Sequence, residues 1–275
     1  MTKREIHLPE FLYHYTSLES LEAILKYKTI RFSKLSTVND PEDGLTEDLL
    51  SSQKLVYCSS WTIDEDSLHM WNMYATMKGV RIKLPVDIFL TIEGRKFGKR
   101  NFCEETHFVS DLQTPFKVEL QNKTHKEIHE IKKLFGPDKV IYFKEKKLPK
   151  AVGEAITMSS FKTFDTANMF EDFIQFGGTG LYKYKCWAIE NEYRYRLTLD
   201  TLNVKGKKTK ETYMEMELVN DYHDLSLNEK AFDDLEIMLG PTADDETLEA
   251  VKNLCEEYLP GKDVTFTKSK ILYRE

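Results

Sequence analysis

Short apolar runs separated by polar breaks dominate this chain, and few of them reach helical length. Phe11 to Tyr15 reads as a strand, and Thr16 and Ser17 are N-cap residues for a helix whose Leu18, Leu21, Ile24 and Leu25 share one face. Thr29 to Ser33 returns as a strand, and Asn39-Asp40-Pro41-Glu42-Asp43-Gly44 is a turn with helix-start chemistry. Lys54 to Trp61 and Gly79 to Leu84 read as strands around a short helix, Asp66 to Ala75, carrying Leu68, Trp71 and Tyr74. Thr124 to Phe135 has the spacing of an amphipathic helix and Val140 to Phe143 that of a short strand. Ser159 to Phe176 predicts a helix with Phe161, Phe164, Met169, Phe173 and Phe176 as its buried stripe. Glu190 to Leu199 is the most strand-like segment of the second half, followed by a strand Leu235 to Leu239 ending at Gly240-Pro241. A helix from Asp244 to Tyr258 and a strand from Asp263 to Lys268 close the chain.

Strands outnumber long helices and do not alternate with them regularly. That pattern predicts an α+β fold, with mixed or antiparallel sheets and flanking helices. No repeat, low-complexity tract or linker interrupts residues 1–275, so a single domain is expected.

Composition narrows the class. Of 275 residues, 41% are hydrophobic and 12% aromatic, which is too apolar for a disordered chain. No stretch approaches the roughly 18 apolar residues of a membrane helix, and Met1 to Glu10 has no apolar signal core. Cys58, Cys103, Cys186 and Cys255 match neither a disulfide framework nor a paired metal motif, so a reducing cytoplasm is the expected compartment. The net charge of -7 argues against non-specific coating of nucleic acid. The charge is uneven, however: the insertion-like segment 93–150 carries 14 Lys or Arg against 9 Asp or Glu. Such a segment is either solvated surface or a docking face for an anionic partner.

Several motifs fall away. Gly177-Gly178-Thr179-Gly180 lacks the Lys-Ser/Thr of a phosphate-binding loop and reads as a glycine-rich connection. His125 and His129 have helical i, i+4 spacing but no evident third ligand, so no metal is expected. There is no nucleophile-elbow serine, and Pro41 sits where a calcium loop needs a ligand.

What remains is a constellation of His14 among aromatics, Ser33 with the acidic turn Asn39 to Glu42, and the run Lys185 to Arg196. Strand alternation would set Glu190, Glu192, Arg194 and Arg196 on one face, with Tyr193, Tyr195 and Leu197 on the core face. One outcome is an exposed edge with cross-paired charges. The other is a carboxylate pair that stabilises positive charge developing at a sugar C1, with Trp187, Trp71 or Tyr74 stacking on a flat ring.

The ordered set Tyr13 to Ser17, Phe32-Ser33, Asn39 to Glu42, Ser60, Met70-Trp71, Tyr74, Gly79-Val80, Lys185, Trp187, Glu190, Glu192, Tyr193-Arg194 and Gly240-Pro241 resembles the bacterial domain of unknown function twenty-nine seventy-one. The match spans about Leu12 to Tyr273 and names no reaction. More distantly, a strand with His, a helix, a strand ending in Ser and a late Glu-x-Glu strand are similar to the ADP-ribosyltransferase fold, in which a split sheet holds NAD. That resemblance implies Glu192 as the catalytic carboxylate and Glu190 as its partner toward the acceptor. It implies a dinucleotide-binding set of His14, Tyr15, Thr16, Ser33, Asn39, Trp71, Tyr74 and Arg194. The activity implied is transfer of ADP-ribose from NAD, without a metal, to a protein or nucleic-acid acceptor. A toxin or anti-phage effector with a cognate antitoxin or regulator is the implied setting. The turn Asn39 to Glu42 has no counterpart in that fold. Two alternatives stay open: a metal-dependent nuclease or other hydrolase using Asp40, Glu42, Glu190 and Glu192, and a non-catalytic nucleotide-sensing protein.

Overall fold

A computed structural model describes residues 8–45, 52–92, 96–99, 106–143, 173–174, 179–199, 202–203 and 215–273. Strand β1 (Phe11–Thr16) leads through α1 (Leu18–Tyr27) to β2 (Thr29–Lys34), then to β3 (Val56–Thr62), α2 (Leu68–Tyr74) and β4 (Val80–Pro85). Next come β5 (Lys96–Lys99), a long hairpin of β6 (Thr106–Gln121) and β7 (Lys126–Lys139), β8 (Ile141–Phe143) and β9 (Phe173–Ile174). After β10 (Tyr182–Tyr184), a 3-10 turn Lys185–Glu190 delivers the chain into β11 (Glu192–Thr198). The last elements are β12 (Leu202–Asn203), β13 (Glu217–Leu218), β14 (Tyr222–Ser226), β15 (Glu236–Leu239), α3 (Asp245–Tyr258) and β16 (Thr265–Lys268).

The fold is α+β around a twelve-stranded mixed sheet, whose main path runs β13-β6-β7-β11-β3-β1-β4-β15-β16. Its pairings are antiparallel except β15 with β16, and β8 with β10 forms a separate parallel pair. Two helices start as their sequence dictates: the Ser17 hydroxyl accepts from Ser20 N–H, and Asp244 caps α3 by accepting from Thr247 N–H. Leu21, Ile24 and Leu25 of α1 and Val251 and Cys255 of α3 pack with Ile30, Phe32, Tyr57, Trp61, Tyr195 and Leu197 in the main core. Among the described residues no helix is long and apolar enough to cross a membrane.

The feature that matters for function is a fork at β3. One edge of β3 pairs with β11 from Val56 to Thr62. The opposite edge is shared: Thr62 pairs with Tyr13 of β1, whereas Cys58 and Tyr57 pair with Ser33 and Lys34 of β2. Extending either register would bring both strands against Ser59 to Trp61. They splay instead, β1 staying with β4 and β2 with β14, and α1 bridges the gap.

Four segments depart from expectation. Thr124 to Phe135 is not a helix; Lys126 onward is β7, paired with β6 and with β11. Local helical spacing loses here to pairing on both edges, with Asn122 closing the hairpin by accepting from Thr124 and His125 N–H. The helix expected over 159–176 lies mostly outside the described residues, and Phe173–Ile174 is strand. The segment Lys54 to Trp61 starts later as a strand, after a 3-10 turn Ser52–Leu55. No helix begins within Asn39 to Gly44; Asp40 Oδ1 instead accepts from Glu42 N–H in a tight turn.

Candidate functional site

The fork opens a cavity of about 590 Å³, within the usual range of small-molecule sites. Tyr13 to Thr16 of β1 form one wall, and the alternating residues Thr29, Arg31 and Ser33 of β2 form the other. Cys58 to Trp61 of β3 make the floor, α1 covers one end through Ala23 and Tyr27, and Tyr74, Glu190 and Glu192 close the opposite end. His14, Tyr15, Thr16, Ser33, Tyr74, Glu190 and Glu192 therefore share one hollow.

His14 bridges the split. Its Nδ1 lies 3.0 Å from the Ser60 carbonyl oxygen and its ring 5.0 Å from that of Trp61. A carbonyl only accepts, so Nδ1 carries the proton and Nε2 is left as an acceptor. Burial lowers the His14 pKa, overriding the opposite effect of the Ser60 contact, so the ring is neutral.

The carboxylate end is a buried ion network. Arg194 has five N–H donors and all five are used. Nε and Nη2 reach Glu192 at 2.6 and 3.0 Å, Nη1 and Nη2 reach Asp43 at 2.7 and 2.5 Å, and Nη1 also reaches the Gly180 carbonyl at 2.9 Å. Lys183 Nζ donates to Glu190 at 2.6 Å and Glu192 at 3.3 Å, and sits 4.6 Å from the Trp187 ring centre. Tyr74 Oη donates to Glu190 at 2.5 Å, and its pKa is raised by burial and by the Glu190 charge, so it stays a donor. Burial pushes the Glu192 carboxyl up, but Arg194 and Lys183 together hold it below the usual carboxylate range. Asp43, Glu190 and Glu192 against Lys183 and Arg194 leave one uncompensated negative charge, and both glutamates border the cavity.

Glu190 and Glu192 meet by a route other than strand alternation. Glu190 ends the 3-10 turn, Asn191 adopts a left-handed φ of 44°, and Glu192 opens β11. Asn191 Nδ2 is held by the Asp64 carboxylate at 3.0 and 3.1 Å, which fixes this reversal. Nor is β11 an exposed edge: it lies between β7 and β3, and Glu192, Arg194 and Arg196 are as buried as Tyr195 and Leu197. The glycine-rich connection also finds its use here. Gly180 has φ +77°, which disfavours any residue with a Cβ, and a Cβ there would meet Leu35 Cδ1 at 2.6 Å; glycine lets the chain present here the carbonyl that Arg194 uses.

Other expected site residues fall elsewhere. Trp71 is fully buried, edge-on to Tyr15, with its Nε1 donating to Asp66, so it is no stacking wall for a ligand. Trp61 is the indole that borders the cavity. Asn39 and Arg194 lie behind the wall: Asn39 donates to Tyr74 Oη at 3.2 Å, and Arg194 backs Glu192. Asp40 and Glu42 do not line the cavity. His125 and His129 sit on the β6–β7 hairpin, His129 3.1 Å from Glu127. Cys58 borders the cavity, but burial pushes its thiol up to about 12, so it is no nucleophile. Within the segment 93–150, described residues 106–143 carry six Lys against five Asp or Glu, and β5 adds Lys96 and Lys99; the other basic residues of the segment lie outside the described residues.

Lys183, Asp43 and Ser60 are the functional neighbours that sequence reasoning missed. Ser60, whose hydroxyl also bonds Glu192, is exposed on the floor. The only signal for the first two was the placing of charged groups in a segment otherwise apolar enough for the core, since buried charges need hydrogen-bonding partners within reach. No protein-family model matches this chain, nor does any curated protein or solved structure.

Proposed function

We propose that the cavity at the fork is the NAD site of an ADP-ribosyltransferase-like enzyme that acts in the cytoplasm on a protein or nucleic-acid acceptor, in the manner of a toxin or anti-phage effector. The observation carrying this reading is the convergence of His14, Ser33, Glu190 and Glu192, from distant parts of the chain, on one cavity of about 590 Å³ where the sheet divides. A divided sheet around a cleft is also the core that the sequence resemblance implies.

The chemistry supports the same reading. Breaking the bond between ribose C1′ and the nicotinamide nitrogen moves positive charge onto the sugar. Glu192 is ionised and held from behind by Arg194 and Lys183, so its position is set before the substrate arrives. The residual negative charge of the network favours a cation in the hollow over a neutral ligand. His14 Nε2 accepts from a ribose hydroxyl on the adenylate side, while Tyr13, Tyr15 and Tyr74 supply flat walls. Glu190, bonded to Tyr74 and Lys183, takes the place next to the acceptor. The rival metal-dependent hydrolase is less well supported, because Lys183 Nζ occupies the position between the two glutamates that a divalent cation would need.

The test is incubation of the full chain with labelled NAD and a cell lysate. Nicotinamide release with label on protein or RNA is expected, and Glu192→Gln should lower it about 100-fold or more while the fold persists. Full activity in that variant, or no release by the unmodified protein, overturns the reading.

A further inference from the structure

Asn39 and Asp43 stand at the two ends of one chain of hydrogen bonds. Asn39 Nδ2 donates to Tyr74 Oη, Tyr74 to Glu190, and Lys183 joins Glu190 to Glu192. Arg194 then joins Glu192 to Asp43 in a bidentate pair, and Asp43 N–H returns to the Asp40 carbonyl within the same turn. The circuit therefore opens and closes in the turn that has no counterpart in the resembled fold. Gly44, at φ +73°, sits where a Cβ would collide with the same Leu35 methyl as one at Gly180, and its carbonyl accepts from the buried Ser52 hydroxyl. This fixes the turn against the connection that feeds β10.

We propose that Asn39 and Asp43 are positioning residues: the turn sets where the Glu190 and Glu192 carboxylates point and how their charge is shared, without touching the ligand. The proposal rests on the reading of the cavity as an NAD site only for its kinetic arm. Asp43 is fully buried and reaches Glu192 through Arg194 and, at 3.9 Å, through Lys183, whereas Asn39 is exposed and reaches Glu190 through Tyr74. Neither lines the cavity, so each acts on orientation and not on contact.

Two substitutions test it in the full chain. Asp43→Asn keeps the shape and takes the network from one surplus negative charge to none. Asn39→Ala removes one donor from an exposed site and leaves folding alone. For Asp43→Asn, kcat for nicotinamide release should fall tenfold or more with the Kd for NAD moving less than threefold. For Asn39→Ala, kcat should fall about threefold, again without a change in Kd. Wild-type kcat in both variants, or equal changes in Kd and kcat, overturns the proposal.

A second arm reads the carboxylates without any reaction. In protein carrying carbon-13 at glutamate carboxyls, the Glu192 signal is assigned through Glu192→Gln and titrated with acid. The groups facing Glu192 are Arg194, Lys183, Glu190, Asp43, Cys58, Ser60, Tyr74 and Tyr142. Burial raises the Asp43 carboxyl while Arg194 and Lys183 hold Glu192 low, so Asp43 takes its proton first as acid is added; the Glu192 signal should therefore move in two steps, and Asp43→Asn should leave only the second. A single step in the unmodified protein, or two steps in Asp43→Asn, overturns the positioning role. If the unmodified protein releases no nicotinamide, this arm alone decides, so failure of the proposed function and failure of the positioning role are told apart.

Discussion

The two ends of the cavity are built on opposite principles. At the carboxylate end every donor of Arg194 is used and the participating charges are buried. At the far end, between α1 and β2, Arg31 is paired with Asp224 at 2.9 Å, but its side chain is 57% exposed and rests on the Tyr222 ring at 3.8 Å. The same pairing of guanidinium and carboxylate thus serves different ends. Buried, it fixes atoms to within a fraction of an ångström and cannot rearrange without leaving a bare charge. Exposed, it costs little to break and can give way to a ligand.

The largest effect should come from cutting the buried end at its hub. Arg194→Met leaves Asp43 without its bidentate partner and Glu192 with only Lys183 and Ser60, at positions that water does not reach. Stability should fall by about 3–5 kcal/mol, the usual cost of stripping one partner from a buried pair. Denaturant unfolding of the variant measures it; a loss under about 1 kcal/mol would show that the network is not the rigid half of the site.

A smaller effect separates the ends by pH. His14 and Glu192 both have lowered pKa values, so for each the unfolded chain binds protons that the folded chain refuses. Stability contributed by either group is present at neutral pH and lost as acid is added. For His14 the loss begins near the ordinary imidazole value of 6.5 and continues down to its folded value; for Glu192 it begins near 4.5. His129 and His223 are also lowered by burial and share the first limb of an acid stability profile, so His14→Gln should reduce its slope by at most about 1.4 kcal/mol per pH unit and leave the second limb unchanged. Urea midpoints between pH 7 and pH 4 give both limbs, and an unaltered first limb in the variant would mean that His14 is not held neutral.

The sequence made one end of this comparison more readable than the other. Strands β1, β2, β3 and β4 were legible because their apolar runs are short and bounded by caps and turns. The arm β7 was not: Ile128, Ile131, Leu134 and Phe135 fall at helical spacing, yet Ile128 is 71% exposed and Ile131 is buried against β6. Non-local pairing decided the conformation, and a single segment carries no record of its partner. At the site, Glu190, Glu192, His14 and Ser33 were readable as polar groups in apolar surroundings. The ion network was half readable, since Arg194 was visible while Asp43, 151 positions away, looked like an ordinary turn residue. The fork itself left no local trace, because it arises where two registers compete for one edge of β3.

The smallest expected effect lies at the open end, and there the difference between the ends is sharpest. Arg31→Ala removes an exposed pair that is worth about 0–1 kcal/mol, so the unfolding midpoint should barely move. The guanidinium covers Tyr222 and borders the same hollow as His14, with Nε and Nη2 engaged by Asp224. An anionic part of a dinucleotide lying toward α1 would meet this cation, and the loss should appear as weaker NAD binding of about threefold to tenfold, with little change in turnover of bound substrate. Arg194→Met would then cost stability where Arg31→Ala costs affinity. A variant at Arg31 that lost several kcal/mol of stability, or kept full affinity for NAD, would show that the two ends do not divide the work in this way.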